Sequence, residues 1–310
     1  MKQILLLTFL ALGCQSASAI TVIENFGSGT NAFSMEFVTI GNPNNVADTT
    51  GSPNPAGSVA YTYNLGKYEV SREQVDKANL AGSLGITMFD MSGYGGNGAN
   101  RPGTGINWYE AATYVNWLNT STGGTAAYKF VGGTFQLWSA GDAGYNANNM
   151  FRNSLAKYVI ASSNEWYKGA YGRVDGSWSN FPNGTDIAPT AVAGGTDPNT
   201  AVQGGQAGPA DITNAGGLSA YATMGQGGNA VEWTETAYDG INNTAGENRE
   251  LRGGAWNYHS NSLDASFRNI GSLPTDEDAS YGFRVASVPE PSAGLLVLLG
   301  LSGLLLKRRK

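Results

Sequence analysis

The chain has 310 residues, enough for one large domain or two small ones. It carries 18 basic and 24 acidic residues, one histidine and one cysteine. An acidic surface repels phosphate backbones and excludes nucleic acid as a partner; a single cysteine excludes a disulfide framework and a thiolate cluster.

The first 19 residues, MKQILLLTFLALGCQSASA, place one lysine before an apolar run and end on Ala17-Ser18-Ala19. This is the layout of a secretory signal peptide cut before Ile20. Cys14 follows Ala11-Leu12-Gly13, where a lipobox prefers leucine and the small residue in the reverse order, so lipidation is the weaker reading. Cleavage after Ala19 leaves an exported protein without a thiol, hence without a cysteine nucleophile.

Three segments predict helices. Ser71-Arg72-Glu73-Gln74 reads as a capping box before Val75, Ala78 and Leu80. Asn107 caps a second, with Glu110 three residues on and Trp108, Ala111, Val115 and Leu118 along one face. Ser162 and Glu165 open a third, which carries Trp166 and Ala170. The remainder predicts short strands and long loops such as Ala188–Thr213, held by side-chain hydrogen bonds, aromatic anchors or ions. Gly93–Gly98, GYGGNG, has the spacing of a dinucleotide fingerprint, but no clear strand precedes it and Asn100-Arg101-Pro102 stands where a helix should start. It reads as a loop.

At the other end, Pro289-Glu290-Pro291 leads into an apolar run over 293–306, closed by Lys307, Arg308, Arg309 and Lys310. As a helix this run reaches about 21 Å, short of the roughly 30 Å of bilayer hydrocarbon. The basic end would stay cytoplasmic and leave the main domain outside. The segment resembles the PEP-CTERM sorting signal, which implies an exosortase-type partner and a surface or extracellular location. The expected organisation is a signal peptide over 1–19, one domain over 20–287 and a sorting or anchor segment over 288–310. Setting the ends aside leaves 13 basic against 23 acidic residues.

Within that domain, segments in the right order resemble the formylglycine-generating enzyme, or sulfatase-modifying factor, family: YNLGKYEVSREQVDKAN (Tyr63–Asn79), INWYEAATYVNWLN (Ile106–Asn119), ASSNEWYKGAYG (Ala161–Gly172), GGNAVEWTE (Gly227–Glu235) and LRGGAW…FR…YGFRVAS. The resemblance implies an α+β, C-type lectin-like single domain with few regular elements and long loops. It also implies a calcium ion on the carbonyls of Gly228 and Ala230 and the side chain of Glu232. Gly225 stands where the family has Asn or Asp, and an internal Arg–Glu pair is the alternative role for Glu232. Independently, Arg252 and Arg284 read as forks that tie loops to carboxylates or carbonyls; Arg268 is a structural residue of the closing motif by the resemblance. Gly253 and Gly254 allow positive φ or close approach, and Trp233 and Trp256 are large anchors.

The family's oxidase chemistry implies two cysteines holding copper after the RGG stretch. Tyr258 and Leu263 occupy those positions, and neither offers the soft thiolate that Cu(I) prefers, so copper is not expected. His259 remains a weak catalytic candidate: with Asp264 it forms at most a partial metal site, and a non-haem iron centre needs more ligands than one histidine supplies. A Ser-His-Asp reading lacks a nucleophile elbow. The expected function is a non-catalytic binding module for carbohydrate or protein, with extracellular polysaccharide the suggested partner. Tyr94, Trp108, Trp138, Trp178 and Trp256 are candidate stacking rings. The alternative is a metal-dependent oxidoreductase with a non-cysteine centre near His259.

Overall fold

The computed structural model describes residues 20–268 and 271–289; the segment read as a signal peptide, Cys14 and the 293–306 run lie outside them. Twelve short strands are described: β1 Thr21–Phe26, β2 Phe33–Ile40, β3 Tyr63–Gly66, β4 Lys129–Val131, β5 Thr134–Gln136, β6 Tyr158–Ile160, β7 Thr190–Ala191, β8 Thr200–Ala201, β9 Val231–Ala237, β10 Arg249–Arg252, β11 Tyr281–Phe283 and β12 Val285–Ser287. Three helices interrupt them: α1 Arg72–Gly82, α2 Trp108–Ser121 and α3 Ser163–Tyr171. This is a mixed α+β single domain with few helices and many loops. Among the described residues, no helix is long and apolar enough to cross a membrane.

All three helices begin where the sequence sets a cap. Ser71, Asn107 and Ser162 each accept from the backbone N–H three residues on, and Gln74, Glu110 and Glu165 reach back to the cap's own N–H. These reciprocal bonds satisfy donors that a helix start leaves orphaned. Gly93–Gly98 forms a loop, with Gly95 and Gly96 at positive φ. The long stretch from Ala188 contains only the two-residue parallel pair β7–β8.

The larger sheet runs β1-β2-β3-β12-β6, antiparallel throughout. Its last strand in sequence, β12, therefore lies between β3 and β6. On β2, buried Phe33, Met35 and Phe37 alternate with Ser34 and Glu36, the period of a strand with one covered face. The outer edge of β6 is closed by side chains: Asn119 on α2 bonds both the N–H and the carbonyl of Tyr158, and the Tyr128 hydroxyl accepts from Ile160 N–H. An edge sealed in this way cannot pair with another chain.

The smaller sheet, β10-β9-β11, pairs β9 antiparallel to β10 and parallel to β11. One face packs against an aromatic cluster in which Trp108 meets Tyr109, Tyr128, Phe135 and Phe151, mostly edge to face. The Arg249 guanidinium, fully buried, lies 4.6 Å from the Trp108 ring centre and 4.0 Å from that of Phe151. Its remaining hydrogen bonds go to the carbonyls of Ala245 and Glu247, so ring faces and carbonyls replace a carboxylate here.

Helix α3 lies against β9 and is tied down by Arg152. This guanidinium grips both oxygens of Glu165, at 3.0 and 2.9 Å, and reaches Glu235 at 2.6 Å. Tyr61 adds a bond to Glu165, and Tyr128 and Asn149 add bonds to Glu235. Burial alone would raise the Glu165 carboxyl, but the Arg152 charge and these bonds hold it at about 2, against an ordinary 4.5. Its stabilisation is thus present above about pH 4.5 and lost as pH falls toward 2. Glu165→Gln should flatten that acid limb in melting experiments. Ser162→Ala should cost about 1 kcal/mol in denaturant unfolding at neutral pH.

Candidate functional site

The GGNAVEWTE and LRGG segments meet across β9 and β10, where Arg252 lies opposite Glu232. Glu232 and Arg284 are both fully buried. Arg284 donates through Nε and Nη2 to the two Glu232 oxygens, at 3.0 and 2.7 Å, and also to the carbonyls of Gly66 and Met224. Trp166 of α3 adds its indole N–H to Glu232 Oε2 at 2.6 Å.

Both oxygens of Glu232 are therefore engaged by protein donors. Gly225 adds no ligand, and a Cβ built there would lie 2.9 Å from Glu69 Oε2, at a φ of +77°. Glu69 is a second buried carboxylate, accepting from the Asn229 amide and from Ala230 N–H. It fills the space that a side chain at Gly225 would need. Glu232 thus takes the arginine-paired role, facing Arg284 and Trp166, while the neighbouring Glu69 is engaged by Asn229 and Ala230. Among the described residues no group of three His, Cys, Asp or Glu side chains is placed to hold a metal.

Arg252 pairs with Glu250 at 2.8 Å, reaches the Ser52 carbonyl, and lies 5.2 Å from the Tyr167 ring centre. Arg268 reaches the same Glu250 oxygen at 2.9 Å and the Tyr238 carbonyl, stacking over the Tyr238 ring. Gly253 and Gly254 adopt φ of +96° and +68°, and both are crowded. A Cβ at Gly253 would lie 3.0 Å from the Trp166 ring, and one at Gly254 would lie 3.0 Å from Leu263. Positive φ and close approach both demand glycine here. Trp233 is a core anchor whose N–H bonds the Ile106 carbonyl.

Beyond the two glycines the chain emerges at the surface. Leu263, which the resemblance sets at the second cysteine position, is fully buried; Tyr258, which it sets at the first, is half-buried. His259 is exposed at the start of a short 3-10 turn, and its side chain makes no capping bond. Asp264 Oδ1 accepts from Ser266 N–H and hydroxyl instead of facing a metal site.

The surface there is aromatic. Phe89 is 45 % exposed and Tyr94 39 % exposed, with ring centres 6.4 Å apart; Tyr94 lies 5.3 Å from Trp256. Trp256 is 5 % exposed beneath Tyr94, and its indole N–H has no acceptor. Its carbonyl receives Gly205 and Gln206 N–H, and that of Tyr258 receives Gly204 N–H. Residues 204–206 therefore brace this face. Asp90 caps the turn that carries Tyr94, its carboxyl held at about 2 by Ser92 and Asn97. Of the other candidate rings, Trp108 is core, bonded to the Thr234 carbonyl, and cannot stack on a ligand. Trp138 and Trp178 are half-buried elsewhere. Phe89 and Glu69 had no distinguishing sequence signal beyond Glu69 preceding the first helix cap.

A family profile described as sulfatase-modifying factor enzyme 1-like domain matches residues 30–288. Treponema denticola variable protein 1 superposes with a TM-score of 0.58 at 18% identity, over 86% of this chain and 99% of that one. CarF gives 0.58 at 14% identity over 82% and 98%, and PvdO from Pseudomonas aeruginosa 0.52 at 16% over 86% and 98%. At these identities the likeness is one of fold. No curated protein matches the sequence.

Arg284→Met leaves Glu232 buried and uncompensated, so it should destabilise the domain by about 3–5 kcal/mol in denaturant titrations. Replacing both partners together with apolar residues should recover part of that loss. Burial, and then the charge on Glu232, push Glu69 up to about 8 despite Arg284. A raised carboxyl stabilises below its ordinary 4.5, and that contribution is lost as pH rises through 8. Melting temperature should fall over that window, and Glu69→Gln should remove the slope.

Proposed function

The chain belongs to the sulfatase-modifying factor enzyme 1-like family, and from that premise we propose that it serves outside the cell as a non-catalytic carbohydrate-binding module. The observation that carries this reading is the exposed Phe89–Tyr94 pair, whose Tyr94 ring packs on Trp256 of the loop that leads to the positions aligned with the two cysteines. Where the family resemblance implies soft sulfur ligands, this chain has a half-buried phenol and a leucine sealed in the core. Neither supports thiolate-bound copper.

Aromatic faces suit the apolar faces of sugar rings, and unengaged donors near them suit hydroxyls. Asp90 at the rim disfavours polyanions and favours a neutral saccharide. A matrix polysaccharide fits the location implied by the two terminal segments.

The test is a polysaccharide panel against the intact chain. Tyr94→Ala should weaken capture of a neutral glycan about tenfold, equivalent to roughly 1.4 kcal/mol. The variant should keep a cooperative unfolding transition, with a loss of about 1 kcal/mol from the ring contacts to Phe89 and Trp256. No capture by any glycan sinks the proposal. Stoichiometric copper or iron that is lost in His259→Ala would establish the oxidoreductase alternative instead.

A further inference from the structure

Five lysines lie in the described residues, and four hold a carboxylate: Lys67 with Glu36, Lys77 with Glu73, Lys129 with Asp142 and Lys157 with Glu24, at 2.8–3.1 Å. The fifth, Lys168 on α3, is the most buried at 1 % exposed, and among the described residues it pairs with no carboxylate. Its ammonium donates once, to the Asn42 carbonyl at 2.8 Å. Asn42 takes φ +54°, a conformation that asparagine tolerates better than most residues.

An ammonium has three donors, and the protein supplies an acceptor for one. Beside Lys168 lies a small cavity walled by Asn42, Asn45, Ser177, Trp178 and Tyr221. Its volume is about 10 Å³, room for one particle of roughly water size. The walls do not supply the missing charge. Asn45 is committed to the backbone of Val46, Gly57 and Val59. The Ser177 hydroxyl turns away to Asp175, and the guanidinium of neighbouring Arg173 is drawn off to Asp186 and the Gly184 carbonyl.

We infer that this cavity is a binding site for one small monovalent anion, a halide or a carboxylate oxygen of a larger solute, held by the Lys168 ammonium. A buried charge needs a partner or it loses its proton. Burial does pull the Lys168 amine down, to about 8, which still leaves it mostly charged at neutral pH. The anion completes the charge pairing that every other described lysine already has. It would also fasten the end of α3 to the 42–45 and 172–178 turns. The site is remote in sequence from the aromatic face and does not depend on it.

The experiment uses crystals of the intact chain grown in bromide, read at the bromine absorption edge, with melting curves over a bromide titration. One anomalous peak in contact with Lys168 Nζ is expected, together with a saturable rise in melting temperature. Lys168→Met, which keeps the stem and removes the charge, should lose both. Displacement of the peak by acetate would identify a carboxylate as a competent occupant; persistence of bromide in acetate would identify a halide site. Water alone beside Lys168 in the unsubstituted protein, with no saturable stabilisation, overturns the inference whether or not the variant folds. A peak that survives Lys168→Met overturns it too.

Discussion

The Arg284–Glu232 pair is the constraint from which the rest of this fold hangs. Arg284 is the one residue between β11 and β12, the point at which the chain leaves the small sheet for the large one. Its guanidinium binds β9 through Glu232, the end of β3 through the Gly66 carbonyl and the 224–230 loop through Met224. Trp166 brings α3 to the same carboxylate. A buried ion pair gives little net stability over an apolar replacement, but its geometry admits few alternatives. In a domain with strands of two to eight residues, that directional demand sets how the two sheets meet.

The same device recurs around it. Arg152 joins Glu165 and Glu235, and Arg252 and Arg268 converge on Glu250. Each carboxylate lies on a strand or at a helix start, and Arg152 and Arg268 reach theirs from other segments, while Arg252 shares β10 with Glu250. Forked, permanently charged side chains suit this task because they fix orientation as well as distance. With the interior fastened in this way, the loops near Tyr94 and Tyr258 can present side chains without having to hold the domain together. This division between a braced interior and a permissive surface explains how the fold survives without the thiolates that the family resemblance implies.

Much of this was legible in the sequence, and the reason is local chemistry. The three helix starts are four-residue patterns whose bonds close within themselves, so Ser71, Asn107 and Ser162 could be read without knowing the fold. The roles of Gly253 and Gly254 were legible for a similar reason, since few residues besides glycine tolerate such backbone. The Glu232 partner stayed open between a cation and an arginine because Arg284 is 52 residues away and only folding brings it near. Glu69 was invisible as the occupant of the space beside Gly225, since nothing local pairs residues so distant. Trp108 was misjudged as a stacking ring because tryptophan composition does not reveal which rings are sealed. The structure buries it under Arg249 and four other aromatics.

The placement of β12 has a consequence for how the protein comes into being. A chain made from its N-terminus produces the β1–β2 hairpin early, yet the middle of the large sheet stays vacant until residues 285–287 have been made. Until then β3 and β6 have no shared neighbour, and Arg284 has not arrived to neutralise Glu232. The growing polypeptide therefore cannot lock into its final state ahead of completion. Closure of the domain awaits the arrival of its last strand.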